Sequence, residues 1–478
     1  MPAAPSPKAK GPPTAAAHDA HEILLLDAHT QEDLKVFGVD SNSISLFNFC
    51  NLCKTEGGEK VLRRRMEMPW ATAERIRATQ EAISFVQEHR AAFSELPSRY
   101  MAKSVITYTH GFMPVVTQLS PVTFTIGAFA LKTNDDDFFI KIRRGVLFTR
   151  RLLRSLRQLV REVHAAHNAA DNTVHNTAHI GGEMAPLIRE MQTLLDHPRL
   201  AQVPDDETGG FWKILRIDQT FRLHEKVTIG RLVELVHEVD ALVAMAEVTS
   251  EHGLVLPSIE TGAVRVQADG LFHPFMPDPV ANPLELCQDR RLLFLTGPNM
   301  AGKTTYLRAA ATALYLAHLG MGVPARTFRF VPIQRLLTSI STTDDLDSGV
   351  SYFRAEALRV KAVAKAVADG YRVVAVMDEP FKGTNVKDAL DASLAILSRL
   401  ATKENCLFLV SSHLIELRER FSETLPVDFR YFEAEEQEER LGFDYVVRSG
   451  VSSQRLGMRV LREEGIFDLL DGKQIEES

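Results

Sequence analysis

Five apolar residues, Leu292–Thr296 (LLFLT), run directly into Gly297-Pro298-Asn299-Met300-Ala301-Gly302-Lys303-Thr304, and Tyr306–Leu319 follows with helical character. The octet fits G-x-x-x-x-G-K-[ST], a pattern that carries meaning when a strand precedes it and a helix follows. Glycines let backbone N–H groups approach phosphate oxygens, and the dipole of the following helix favours their negative charge. The candidate nucleotide contacts are therefore Gly297, Pro298, Asn299, Met300, Ala301, Gly302, Lys303, Thr304 and Thr305. Lys303 is expected to bridge the β- and γ-phosphates, and the Thr304 hydroxyl to sit on Mg²⁺. The implied ligand is ATP or GTP.

A second strand points to hydrolysis. Val373–Glu379 (VVAVMDE) is β-branched, apolar and closed by two carboxylates, as suits a strand buried on both faces of a parallel sheet. Asp378 is the candidate second metal residue, since a hard cation takes oxygen ligands. Glu379 is the candidate general base for the attacking water. A third strand, Cys406–Ser411 (CLFLVS), leads to His413, expected within reach of the γ-phosphate. The alternatives are a helix-capping acid at Glu379 and an ordinary surface histidine at His413.

Thr296–Arg308 (TGPNMAGKTTYLR) resembles the ATPase loop of the MutS mismatch-repair family. Asp344–Phe353 (DDLDSGVSYF) with Glu356 is similar to that family's signature loop. Asp378-Glu379 followed by Gly383-Thr384-Asn385 and Asp388 resembles its Walker B region, and Gly450–Ser453 with Leu456-Gly457 its C-terminal element. Upstream, Thr30–Val36 (TQEDLKV), Ser45-Leu46 and Thr55–Pro69 look like the start of the family's core lever domain. Asp240–Ala246 and Phe272-His273-Pro274 look like its end. The resemblance implies an α/β P-loop ATPase domain of the ATP-binding cassette class (MutS domain V-like), preceded by a mostly α-helical core/lever domain. It also implies a dimer with composite sites, in which Gly349 and Ser351 of one copy meet the γ-phosphate held by the other; Ser351 joins Glu379, Lys303 and His413 as a catalytic candidate. Asn282 and Tyr445 are implied contacts of the base, Tyr445 by stacking. The bland alternative for DDLDSG is a solvated acidic turn.

By the same resemblance, the chain is expected to lack the family's mismatch-reading wedge, connector, large clamp and nuclease tail. Pro279-Val280 precede Asn282-Pro283 where the family has an aromatic, and Pro380-Phe381-Lys382 replace the usual Ile-Gly-Arg. These departures bear on base preference and turnover rate. The expected domains are a tail over 1–20, the helical core/lever domain over 21–254, the ATPase over 255–470 and a second tail over 471–478.

Composition bounds the remaining possibilities. The 478 residues are 45% apolar and 24% charged, enough for two or three domains. No apolar run spans a membrane, and the Pro/Ala-rich start lacks the apolar core of a signal peptide; a cytoplasmic site is expected, nucleoid-associated if the source is bacterial. Cys50-x-x-Cys53 has no second pair at zinc spacing and reads as core packing. The net charge of −7 argues against coating nucleic acid by bulk attraction. Charge is nevertheless segregated: Lys141 to Arg161 holds eight cations and no acid. Arg150, Arg154, Arg157 and Arg161 recur at helical spacing, a candidate cationic stripe for DNA phosphates. A solvated face, or a site for an acidic protein segment, is the alternative.

Helices are expected over Glu74–Gln87, Arg150–Ala166, Met184–Leu195 and Gly230–Thr249, with short strands near LPSIE and VRVQADG. Ala102–Ala130, β-branched and interrupted by proline, has no clear assignment. The resulting expectation is a DNA-binding ATPase using ATP and Mg²⁺ as a homodimer, with an additional protein partner as a further candidate. The alternatives are a cassette-type ATPase acting on a protein or ribosomal RNA, and a non-catalytic adaptor that uses ATP only as a dimerisation ligand.

Overall fold

The computed structural model describes residues 22–40, 43–117, 120–134, 136–171, 181–204, 210–341, 352–436, 441–452 and 466–470. The chain divides into two compact units. One holds the residues up to Asp40, Met68–Ile76 and everything from Leu254 onward; the other holds Ser41–Glu67 and Arg77–Gly253. Thr30–Val36, expected in the helical part, therefore belongs to the α/β unit. There it forms α1 (Ala28–Asp33), N-capped by the Asp27 side chain, which accepts the Thr30 N–H at 2.8 Å.

The second unit is helical: α2 (Leu46–Cys50), α3 (Glu56–Glu67), α4 (Ala73–Glu88, its start shared with the first unit), α5 (Arg99–His110), α6 (Pro121–Asn134), α7 (Asp136–Asp171), α8 (Met184–Leu195), α9 (Phe211–Gln219) and α10 (Lys226–Glu251). The stretch Ala102–Ala130 thus contains two helices. Pro121 opens the second, at a position where its missing N–H costs nothing. Helix α7 runs 36 residues, far beyond the expected Arg150–Ala166.

Helices α3 and α10 meet closely because Gly57 and Gly58 leave room; a Cβ on Gly58 would lie 2.2 Å from Asp240 Oδ2. Asp240, 1% exposed, accepts the N–H groups of Lys54 and Thr55 and the Thr55 hydroxyl at 2.9, 2.8 and 2.6 Å. A buried carboxylate is tolerable when its oxygens are this well paired. Cys50 is buried as core, and burial pushes its thiol up to about 12.

The first unit has two sheets. In the smaller, β1 (Ser258–Ile259) and β2 (Val266–Leu271) flank β5 (Thr327–Phe330), and β3 (Asn282–Leu286) pairs with β2, giving the order β1-β5-β2-β3. Asn282 thus opens a strand. The larger contains β4 (Leu292–Thr296), β6 (Arg335–Ser339), β7 (Val373–Asp378), β8 (Cys406–Ser411), β9 (Val427–Tyr431) and β10 (Arg448–Ser449), in the order β10-β9-β4-β8-β7-β6. All its pairs are parallel except the β10 edge. Strands β4, β7 and β8 are buried along nearly their whole length, which is why they read as continuous apolar runs. Helices α11 (Lys303–His318), α12 (Tyr352–Ala368) and α13 (Val386–Ala401) connect them. Among the described residues no helix is long and apolar enough to cross a membrane.

Candidate nucleotide site

Strand order positions the site. Because β8 lies between β4 and β7, the C-terminal ends of three parallel strands come together, where ligands of open α/β sheets bind. The glycine-rich loop leaves β4 and enters α11. Gly297 (φ 143°) and Gly302 (φ 98°) adopt backbone that side chains disfavour. Each is also crowded: a Cβ would meet Phe432 O at 2.8 Å at the first and the Tyr445 ring at 3.2 Å at the second.

Lys303 is 5% exposed, and its Nζ donates to Gly297 O (2.8 Å) and Pro298 O (3.1 Å), carbonyls of its own loop. Burial pulls its ammonium down from the usual lysine value, against the opposing pull of Glu379 and Asp378. The Thr304 hydroxyl donates to Asp378 Oδ2 at 2.5 Å. The other oxygen, Oδ1, accepts from the Ser411 hydroxyl. Ser411, fully buried at the end of β8, was not singled out by sequence. The available signal was that it closes a strand with the same apolar pattern as β7.

Glu379 (φ 50°) takes a left-handed conformation unusual for its type. Its N–H donates to Ser411 O at 3.1 Å and lies 3.2 Å from Ser411 Oγ. The carboxylate faces three side-chain nitrogens: His413 Nε2 at 2.5 Å from Oε1, Lys382 Nζ at 3.2 Å from Oε2 and Lys303 Nζ at 3.8 Å. Burial pushes this carboxyl up, but the His413 hydrogen bond and charge, with Lys303 and Lys382, bring it down to about 2. His413, expected to sense a phosphate, is thus placed on Glu379. Lys382, noted in sequence only as a departure, joins the same cluster.

A cavity of about 430 Å³ opens beside the loop, walled by Phe272, His273, Met276, Pro277–Val280, Asn282 and Tyr445 and reaching Lys303, Thr304 and Glu379. Asn282 holds Tyr445 in place: its Nδ2 donates to Tyr445 O (2.8 Å) and its Oδ1 accepts the Val447 N–H (2.7 Å). Its amide therefore serves the protein itself, and the Tyr445 ring is the part that lines the cavity. Asn299 and Met300 are exposed on the loop, Ala301 is buried, and Pro298 and Thr305 also line the cavity. Gly349 and Ser351 lie outside the described residues.

Among the described residues no group of three or more His, Cys, Asp and Glu side chains forms a metal cluster. Thr304 and Asp378 instead offer a hydroxyl and a carboxylate, the sparse oxygen set that Mg²⁺ takes when phosphates and waters complete its shell.

The four arginines of the second unit are not a uniform stripe. Arg150 is 5% exposed; its Nε and Nη2 donate to Pro204 O at 2.9 and 2.6 Å. Arg157 donates to Leu200 O at 2.7 Å. These guanidiniums serve backbone carbonyls, so the expected row of four exposed charges is corrected to two, Arg154 and Arg161. Arg143, Arg144 and Arg151 are exposed as well. At about 100° per residue, these five fall on one arc of the helix.

A family model described as MutS domain V matches residues 293–469. The DNA mismatch repair protein MutS of Persephonella marina (strain DSM 14350 / EX-H1) is 30% identical to the chain over 263 residues, covering 53% of the chain. The matched part spans 30% of that relative's own length.

Proposed function

Because the chain is a MutS-family protein by virtue of residues 293–469, we propose that it is a Mg²⁺-dependent ATPase. It acts as a homodimer and couples hydrolysis to its grip on DNA. The observation that carries this reading is the convergence of Thr304, Asp378, Ser411, Lys303 and Glu379 at the ends of β4, β8 and β7.

Thr304 and Asp378 hold Mg²⁺, which supplies neutralising charge to the phosphate oxygens. Lys303 exchanges the carbonyls of Gly297 and Pro298 for phosphate oxygens, a stronger, charge-assisted set of acceptors. Glu379 is ionised throughout the physiological range and accepts a hydrogen bond from the attacking water. Phosphoryl transfer asks mainly for positioning and electrostatic stabilisation, so a weakly basic carboxylate suffices. Both of its oxygens are engaged, by His413 and Lys382, and one pair opens when the water takes its place. The Tyr445 ring stacks on the base. Gly349 and Ser351 contact the γ-phosphate held by the second copy. Arg143, Arg144, Arg151, Arg154 and Arg161 contact DNA phosphates.

The test is ATP turnover by the parent chain and Glu379→Gln, with mismatched, branched, single-stranded and homoduplex DNA, at low and physiological salt. Loss of the base is expected to lower turnover by about 10²–10⁴-fold, and one DNA structure to stimulate the parent. Phosphate release no faster than in Glu379→Gln refutes the ATPase reading. Turnover indifferent to every nucleic acid refutes only the coupling to DNA.

A further inference from the structure

We propose that Trp212 is a stacking site for an unpaired nucleobase, braced by Phe211 and Phe139 and set beside the α7 arginines. The inference rests on the proposed role of those arginines at nucleic-acid phosphates, and adds a contact to the base itself.

The site begins with how α9 is turned. Ile214, Leu215, Ile217 and Asp218 are buried, so at about 100° per residue the outward arc carries Trp212, Lys213 and Arg216. The chain has two tryptophans. Trp70 lies under the Arg75 guanidinium and is partly covered, whereas Trp212 is 45% exposed. The Phe211 ring stands 5.1 Å from the indole at 83°, the edge-to-face arrangement that aromatic pairs prefer. Phe139 of α7 follows, 4.7 Å from Phe211. Three rings from two helices thus form one chain that ends in the exposed indole. A large ring braced in this way offers contact area at a low cost in side-chain freedom.

The chain of rings meets the cationic arc of α7. Phe139 falls about 40° from Arg143 around the helix axis and about 6 Å before it along that axis. Arg143 and Arg144 are exposed, as is Lys141, whose Nζ stands 5.7 Å from the Phe138 ring. On α9, Lys213 neighbours Trp212 directly, and Arg216, one turn on, lies with Cζ 4.1 Å from the Phe124 ring. Ring surface and positive charge therefore alternate over a short span, which suits a ligand that alternates flat apolar groups with anions. A nucleic-acid single strand is such a ligand, because each nucleotide offers a π-face and a phosphate. A paired base shows its face only to its neighbours in the duplex, so the site selects unpaired bases. An apolar protein helix or a lipid surface would call for an unbroken apolar face, and the outward arc of α9 holds one ring and two cations.

The test measures binding of the full chain, without ATP and at one low salt concentration, to labelled oligothymidylate, oligouridylate, an abasic strand of the same length and a duplex. Trp212→Ala is expected to weaken binding to an unpaired strand about 5- to 150-fold, with the abasic strand and the duplex unchanged and Trp212→Phe retaining most of the affinity. The thymidylate and uridylate arms tell DNA from RNA as the source of the base. A second readout keeps the side chain: in Trp70→Phe, where Trp212 is the sole indole, the unpaired strand should quench the fluorescence and the abasic strand should not. Parental affinity for both unpaired strands in Trp212→Ala overturns the proposal and leaves the ring to an apolar protein partner. Equal losses on the abasic strand and the duplex overturn it too, as does an indole that no strand quenches. A parent that binds duplex DNA while Trp212→Ala changes nothing loses this site alone. A parent that binds no nucleic acid loses the phosphate contacts of α7 as well.

Discussion

Replacing Ser411 by alanine removes one oxygen from the centre of the site. Thr304 and Ser411 donate to opposite oxygens of Asp378 and together set the plane of its carboxylate. The Glu379 N–H keeps the Ser411 carbonyl at 3.1 Å, so the change falls mainly on Asp378. A hydrogen bond to a charged group contributes about 1.5–3 kcal/mol, which corresponds to roughly 10- to 100-fold in an equilibrium constant. The expected outcome is a higher Mg²⁺ half-saturation in steady-state ATP turnover, up to that factor, with unchanged affinity for ATP measured without metal. A second readout needs no turnover: Mg²⁺ with a non-hydrolysable ATP analogue should raise the melting temperature less in the variant than in the parent. The reasoning fails if Mg²⁺ half-saturation is unchanged, or if it falls. A fall would mean that Ser411 competes with the metal for Asp378 and does not orient it for the metal.

Two other perturbations separate structural from functional charge. His318 is fully buried, with Nδ1 2.8 Å from Leu314 O and Nε2 accepting the Ile333 N–H at 3.0 Å, so only the neutral ring fits; burial brings it down from 6.5 to about 4. The unfolded chain binds the proton first, so stability is complete above pH 6.5 and falls by about 3 kcal/mol as pH drops to 4, a loss that chemical denaturation should show and His318→Gln should remove. On α7, changing Arg154 and Arg161 together to Gln should lower the slope of log affinity against log salt for duplex DNA by about 1.8. Arg150→Gln should lower the melting temperature and leave that slope alone, and equal effects on the slope would refute the distinction drawn from burial.

The elements legible from sequence share one property: their environment is written into their own residues. Strands β4, β7 and β8 are apolar throughout because neighbours cover both faces, and each ends in the residues that build the site. The glycine loop is legible because backbone at positive φ selects Gly297 and Gly302. Helix α8 coincides with its expected span, Met184–Leu195.

Where packing partners come from far along the chain, local pattern misleads. Gly145 reads as a weak helix position, yet a Cβ there would lie 2.0 Å from the Tyr108 ring, so α7 continues through it as a packing choice. Arg150 and Arg157 share the spacing of exposed arginines, but the carbonyls of Pro204 and Leu200 draw them in. Thr30–Val36 carries a family pattern that pointed to the lever, while the bonds from Thr30 and Asp33 to residues 338–341 place it in the α/β unit.

The sequence by itself determined the chemical groups, their strands and the loop geometry that glycine alone permits, because these depend on neighbours within a few residues. Only the tertiary structure decided that β8 separates β4 from β7, which sets Ser411 on Asp378 and His413 on Glu379. Hydrogen bonds between residues tens to hundreds of positions apart follow from strand order and burial, and neither has a local signature.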